Sequence, residues 1–190
     1  GDFILEIDGV TVSSYEDDPR KLLKGAADSS VELVYARQEK TNTTSVIRGA
    51  VEVSAVPYYT LINQEIGYIV LRKFNNKTTL QTKNALEDLK LQGAKKIILD
   101  LRGNPGGLLN QAIGVVNLFV AKGEVITTTQ SVIKKYNKVY KTTTEPFDVE
   151  IPLAVLINGR SASASEIVSG GLQDLDRGVI IGARSFGTVS

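Results

Sequence analysis

An alternation of strand-like and helix-like segments from about Gly67 onward constrains the fold more than any other feature of this sequence. GYIVLRKF, KKIILDL, IPLAVLING and GVIIGA are short runs of the kind found in buried strands. Between them, residues 78–91, 108–120 and 166–174 space their apolar side chains as helices do. Strands joined by helices pair in parallel, and a parallel sheet needs helices on its faces. We therefore predict an α/β fold with a mainly parallel sheet and covering helices.

The first third of the chain shows a different pattern, with short runs separated by turn signals. FILEIDG predicts a strand that enters a turn, DDPRKLLKG predicts a short helix that begins at its proline, and VELVYAR predicts a second strand. EKTNTTS predicts a polar turn, and SVIRGAVEVSAVPYY predicts more β structure. We expect three parts: residues 1–37, a connecting β-rich segment at 38–66, and an α/β core at 67–190.

The chain has no histidine and no cysteine, which excludes several kinds of site. Ser-His-Asp triads, Cys-His pairs, disulfides and His- or Cys-ligated metals are all ruled out. The 22 basic residues nearly balance the 21 acidic ones, which gives a net charge of +1. The chain therefore has no excess of positive charge to attract nucleic acid. We predict no metal, no cofactor, no nucleic-acid partner and no integral membrane segment. Any serine nucleophile must use a base other than histidine.

Two turns carry the candidate chemistry, because each follows a predicted strand at the edge where α/β proteins place their sites. In DLRGNPGGL, Gly106 and Gly107 allow a ligand to approach the backbone closely, and their N–H groups stand at the start of a helix. The turn matches neither a P-loop nor a dinucleotide-binding motif. Taken by itself, it is also explained as a tight connection between strand and helix.

The second turn, NGRSASASE, allows two interpretations. Ser163 and Glu166 have the S-x-x-E spacing of a capping box, which explains both residues without any catalytic role. A serine at a helix start can equally present its oxygen where unpaired N–H groups stabilise a developing negative charge. If the GNPGG turn lies beside it, a glycine N–H supplies a second donor. The residues themselves leave both interpretations open.

The pair of motifs DLRGNPGGL and SASASEIVSGGLQDLDRGVIIGARSFG closely resembles the carboxyl-terminal processing, or tail-specific, proteases of the S41 serine peptidase family. GDFILEIDGVTV and KLLKG resemble the second half of that family's PDZ domain. The resemblance implies a ClpP/crotonase-like core at 67–190, incomplete at its C-terminus, after a partial PDZ domain at 1–37. It also implies an endopeptidase of the periplasm or cell envelope that binds a free, apolar C-terminal tail of protein substrates by β-augmentation.

Carried over residue by residue, the resemblance makes Ser163 the nucleophile of a Ser-Lys dyad. It makes the backbone N–H groups of Gly107 and Ala164 the oxyanion donors. Ser165 becomes a buried or hydrogen-bonded neighbour, and Ser161 the residue that enters the turn. A lysine base must be neutral, so desolvation has to lower its ammonium pKa.

The family's base lysine is missing from the sequence at the expected place. The family has FGKG where this chain has SFGTVS, so an ungapped alignment puts Thr188 at the lysine position, and no lysine follows Ser163. Three explanations remain: the sequence lacks a KG pair, the chain is an inactive peptide-binding or scaffold homologue, or Lys73 or Lys122 reaches the site. The first is favoured because TV after FG fits the family better with a gap.

A cofactor-using enzyme of the crotonase type is a further alternative. That superfamily has a similar core of sheet and helices, and its oxyanion hole also uses two N–H groups. The SASASE segment argues against it.

Overall fold

The computed structural model describes residues 1–50 and 53–188, and the chain divides into two compact units, Gly1–Glu52 and Val53–Ser190. The first unit therefore extends beyond residue 37, and the second begins before residue 67. The expected connecting segment is shared between them, and its residues 51 and 52 lie outside the described residues. The identity of residues 1–37 as half of a PDZ domain stays a prediction.

The first unit is built on an antiparallel sheet. In its described part the sheet has four strands in the order β2-β1-β3-β4. They are β1 (Phe3–Ile7), β2 (Val10–Thr11), β3 (Ser30–Arg37) and β4 (Lys40–Ile47). The predicted strands in FILEIDG and VELVYAR are therefore both present, as β1 and β3. Each strand buries one of its side chains, Ile7 and Val31.

One local prediction for this unit is wrong, and another is only partly confirmed. The polar stretch EKTNTTS is not a turn but belongs largely to β4, which pairs with β3 from Ser30↔Ile47 to Arg37↔Lys40. Pairing along the whole strand satisfies its backbone groups, and exposed threonines suit a sheet surface. The expected helix in DDPRKLLKG is a single 3₁₀ turn, Pro19–Lys21, whose N-cap Asp18 accepts from the N–H of Arg20 at 3.0 Å.

The second unit contains the predicted α/β core. Its strands are β5 (Tyr58–Ile62), β6 (Ile66–Val70), β7 (Lys96–Asp100), β8 (Val125–Thr129), β9 (Lys138–Lys141), β10 (Leu153–Ile157) and β11 (Val179–Gly182). Within the described residues, five of them form one sheet in the order β11-β10-β7-β6-β5. Only the β5–β6 pair is antiparallel there. The β8–β9 pair forms a separate antiparallel hairpin.

Three helices accompany this sheet in the described part of the chain: α1 (Thr78–Leu91), α2 (Leu109–Asn117) and α3 (Ala164–Asp174). The first has the predicted bounds, whereas the second ends before the predicted Val120. Helix and strand side chains together form one apolar core, which includes the fully buried Ile69, Leu99 and Phe119. The prediction of an α/β fold with a mainly parallel sheet and covering helices is confirmed.

The register of two central strands positions the candidate site. β7 and β10 lie side by side in parallel, with Leu156 opposite Asp100. Both strands therefore end at the same edge of the sheet. The GNPGG turn leaves β7 and the SASASE turn leaves β10 at that edge, which brings the two motifs together as expected for an α/β sheet.

Gly67 on β6 and Gly170 on α3 test the packing of the core, because an added Cβ would be crowded at the first and unhindered at the second. A Cβ at Gly67 would lie 2.8 Å from Ile97 Cδ1 and 3.0 Å from Leu89 Cδ1, whereas a Cβ at Gly170 would meet nothing within 4 Å. We expect Gly67→Ala to lower the free energy of unfolding by about 1–2 kcal/mol through overpacking. Gly170→Ala should raise it by roughly 0.5–1 kcal/mol because alanine favours a helix. Urea denaturation of both variants measures this, and two shifts of the same sign would contradict the packing described.

Candidate active site

The turn after β7 is held by a short parallel bridge between Phe74 and Gly107. The N–H of Phe74 donates to the carbonyl of Gly106 at 3.0 Å, and the N–H of Leu108 donates to the carbonyl of Phe74 at 2.9 Å. Gly107 has φ 143°, and a Cβ there would lie 2.2 Å from the Phe74 oxygen. Only glycine fits this position, because the Phe74 carbonyl lies where a side chain would be. The close approach of a ligand to this turn stays a prediction.

Asn104 connects the GNPGG turn to the SASASE turn. Its side chain is fully buried; the amide donates to the Leu71 carbonyl at 2.8 Å, and Oδ1 accepts from the Gly106 N–H at 2.8 Å. Its backbone carbonyl accepts from the N–H of Ala162 at 3.1 Å and from the hydroxyl of Ser165 at 3.0 Å. The sequence analysis missed this residue, although an asparagine between Gly103 and a proline is a common turn signal.

Ser163 stands immediately before α3 in a strained backbone conformation, with φ 53° and ψ −114°. A positive φ is uncommon for a residue with a side chain and costs on the order of 1–3 kcal/mol. Such strain persists only where surrounding contacts impose it, and it is concentrated at functional sites. The conformation therefore distinguishes Ser163 from an ordinary helix cap.

The other two serines of the motif, Ser161 and Ser165, have structural partners. Ser161 is fully buried, donates to the Leu101 carbonyl at 2.8 Å and accepts from the Asn158 N–H at 3.0 Å. Ser165 is also fully buried, with its hydroxyl on the Asn104 carbonyl. Both hydroxyls fix the turn to its neighbours, which leaves Ser163 as the candidate nucleophile of the three.

The carboxylate of Glu166 organises the residues around Ser163. The two residues form the predicted capping box, in which the Ser163 N–H donates to Glu166 Oε2 at 2.8 Å. The same carboxylate accepts from the Ser185 hydroxyl at 2.8 Å, the Gly187 N–H at 2.6 Å and the Thr188 N–H at 3.0 Å. Sequence analysis identified only the capping contact, because the segment after β11 is distant along the chain.

These hydrogen bonds determine the charge of Glu166. Its side chain is buried, and burial raises the pKa of a carboxyl group. Donors from Thr188, Gly187, Ser185 and Ser163 outweigh that effect and lower the pKa of Glu166 to about 2. The carboxylate is therefore ionised at neutral pH, and it acts here as a structural acceptor.

The two turns meet at Gly106. A Cβ on Gly106 would lie 2.8 Å from Ser163 Cβ and 3.0 Å from the Ala164 nitrogen. The N–H groups of Gly107 and Ala164 donate to no acceptor within residues 1–50 and 53–188. For Ala164 this is expected, because it is the first residue of α3. The structure thus brings together Ser163, Gly107 and Ala164, the residues that the sequence analysis selected.

Thr188 occupies the neighbourhood in which the resemblance expects a lysine. Its Oγ1 accepts from the Ser163 N–H at 2.9 Å, and its hydroxyl donates to the Glu166 carboxylate. Among the described residues, neither Lys73 nor Lys122 forms a hydrogen bond with Ser163, and the side chain of Lys122 is 58% exposed beside Glu145. An exposed ammonium lacks the desolvation that would make it a base.

The described part of the chain holds no group of at least three acidic, histidine or cysteine side chains arranged for a metal ion. In the same residues, no helix has the length and apolar character to span a membrane.

Glu166→Gln tests the role of the buried carboxylate. Because the folded-state pKa is about 2 and the ordinary value is 4.5, ionisation stabilises the fold above pH 4.5, and this contribution is lost as the pH falls towards 2. We expect the variant to be less stable by about 2 kcal/mol at pH 7, with the difference shrinking below pH 4.5. Urea denaturation as a function of pH measures it.

Glu87→Gln is the matched control, because Glu87 is exposed and lies 3.5 Å from Lys83. It should change stability little at any pH. A Glu166→Gln penalty that is small, or that does not fall on acidification, would contradict this account of the carboxylate.

Comparison with known proteins adds the family. The model of peptidase family S41 matches residues 65–190. The chain is 39% identical to a carboxy-terminal-processing protease of Bartonella bacilliformis and 34% identical to a chloroplastic C-terminal processing peptidase of Tetradesmus obliquus, with 98% of the chain covered in each case. It covers 44% and 43% of those proteins, so it spans less than half the length of these curated relatives.

A solved structure agrees with these matches. A photosystem II D1 C-terminal processing protease superimposes with a TM-score of 0.62 at 32% identity, over 98% of this chain and 52% of that one. The similarity therefore extends from sequence to fold.

Proposed function

The chain belongs to peptidase family S41, and from that premise we propose that the protein is a serine endopeptidase acting near the C-terminal tails of protein substrates. The chain is homologous to C-terminal processing peptidases over nearly its whole length. The observation that carries the proposal is the strained Ser163 beside the GNPGG turn. A helix cap needs neither the positive φ nor the adjacent glycine turn.

In this proposal Ser163 Oγ attacks the carbonyl carbon of the scissile peptide bond while a base takes its proton. The C–N bond then breaks, the amine leaves with that proton, and the remaining acyl-enzyme is hydrolysed by water. The carbonyl oxygen becomes negatively charged in the tetrahedral intermediate, and donors fixed in advance stabilise that charge. The N–H groups of Gly107 and Ala164 are suited to this, because neither donates elsewhere in the described residues. The N-terminus of α3 adds a favourable dipole.

The Ser163 proton requires a base. Thr188 cannot serve, because its hydroxyl is far too weak a proton acceptor at neutral pH. The proposal therefore requires a lysine near Ser163 in the complete protein. Desolvation must lower the pKa of its ammonium group, so that the neutral amine can accept the Ser163 proton. The intact mass of that protein and peptide mapping around Phe186 test the requirement.

The substrate's tail would bind near the two turns. An extended tail would lie as an added strand beside the sheet near the two turns, because a serine protease must align an extended backbone. Residues 1–37 would belong to a PDZ domain that binds a free C-terminus, without supplying the carboxylate-binding loop themselves. We propose the periplasm or cell envelope as the location, whereas the Tetradesmus obliquus relative is named as chloroplastic.

Ser163→Ala in the complete protein tests the nucleophile. We expect hydrolysis of a quenched fluorescent tail peptide to fall by more than ~10³-fold, because the acyl-enzyme cannot form. Binding of the same peptide, followed by fluorescence anisotropy, should change little.

Ser14→Ala is the control, since the Ser14 hydroxyl is exposed and donates only locally, to the Thr11 carbonyl. It should hydrolyse the peptide at the unaltered rate. Turnover retained by Ser163→Ala would refute the assignment.

A second candidate function is peptide binding without catalysis. Thr188 favours it, because a threonine bonded to Glu166 and to the Ser163 N–H stands where the family has its base. Tight peptide binding with no hydrolysis by the unaltered complete protein would support this alternative.

A further inference from the structure

A cavity of about 360 Å³ lies at the carboxyl ends of β6, β7 and β10, away from the residues assigned to Ser163 chemistry. It is lined by Tyr68, Val70, Arg72, Asp100, Arg102, Asn158 and Arg160. Three arginines from three separate strand ends therefore face one small space. A cavity of this composition suits an anionic group.

Two of these arginines lack a counter-charge. Within the described chain, the side chains of Arg72 and Arg160 take part in no ion pair and no hydrogen bond. A methyl group on Gly103 would lie 3.6 Å from Arg72 Nη1 and 4.0 Å from Arg160 Nη2. The two nitrogens are thus at most about 8 Å apart, within the Debye length of physiological salt, so the guanidinium groups repel each other.

The carboxylate of Asp100 in the cavity does not offset the repulsion between Arg72 and Arg160, because Arg102 already neutralises its charge. Asp100 is buried and accepts from Arg102 Nη2 at 2.7 Å and from the Tyr68 hydroxyl at 2.5 Å. Burial raises the pKa of Asp100, but the hydrogen bonds of Arg102 and Tyr68 outweigh it and lower the pKa. Asp100 and Arg102 therefore form a fixed ion pair, and Arg72 and Arg160 leave a net positive charge.

The cavity is close enough to Ser163 for one peptide to reach both. Gly103 is three residues from Gly106, which contacts Ser163, and three residues of chain span at most roughly 10 Å. Arg160 is likewise three residues from Ser163. An extended peptide covers this length in about three residues.

We propose that Arg72 and Arg160 form a subsite for a carboxylate of the bound peptide, about three residues from the scissile bond. This inference rests on the proposed function and adds a preference for acidic tails to it. The carboxylate belongs either to an aspartate or glutamate side chain or to the peptide's C-terminus. An arginine pair binds either one, because guanidinium groups match the geometry of carboxylate oxygens.

The test measures binding rather than turnover. The complete protein carrying Ser163→Ala is titrated with fluorescent tail peptides in which aspartate or asparagine occupies each position in turn, with a C-terminal acid or amide. We expect the aspartate or acid peptide to bind about tenfold more tightly at one position. Adding Arg72→Gln and Arg160→Gln should abolish that preference, and 0.5 M salt, on the order of several times physiological strength, should weaken it.

Lys83→Gln with Lys122→Gln is the matched control, because it removes the same charge from exposed lysines whose acidic partners lie 3.5 Å and 3.9 Å away. It should keep the preference. If replacing the C-terminal acid by an amide removes the preference, the bound group is the terminal carboxylate. If replacing an aspartate by asparagine removes it, the bound group is a side chain.

Equal binding of acidic and neutral peptides, or a preference that survives loss of both arginines, would overturn the subsite. Hydrolysis by protein with Ser163 intact is measured separately. Its absence would count against the proposed protease activity, while an arginine-dependent preference would still stand.

Discussion

The contact between two turns is the interaction on which the candidate site depends. Asn104 joins them, because its carbonyl accepts from Ala162 and Ser165 while its side chain fixes Gly106 and Leu71. Gly106 has no side chain, so Ser163 can approach to within contact distance. The parallel register of β7 and β10 delivers both turns to one edge of the sheet. Loss of this contact would separate Ser163 from the N–H group of Gly107, one of the two proposed oxyanion donors.

The hydrogen bonds of Glu166 compensate for the backbone strain at Ser163. Glu166 is buried and ionised, and it binds the N–H groups of Ser163, Gly187 and Thr188 at once. Charge-assisted hydrogen bonds of this kind are among the stronger ones in proteins. One carboxylate thus holds the helix start and the segment after β11 together. The capping contact also positions Ser163, so capping and the proposed catalytic role are compatible explanations of SASASE.

How much of this could be predicted from the sequence depends on the range of the interaction. The strand and helix alternation correctly predicted the core, and α1 has the predicted bounds, because apolar periodicity is a local signal. β4 was missed because EKTNTTS is polar and becomes a strand only by pairing with β3. Ser163, Gly107 and Ala164 were selected through motif resemblance. The roles of Asn104 and of the arginine cavity were not predictable, because they arise from residues far apart in sequence.

Labelling of the complete protein with a fluorophosphonate tests the central claim most directly, because this reagent forms a covalent bond only with an activated serine. Peptide mapping by mass spectrometry then locates the adduct. The account predicts a single adduct on Ser163, with the buried Ser161 and Ser165 unmodified. An adduct on another serine, or no adduct on a protein that binds tail peptides, would contradict the claim that the two turns form a catalytic site.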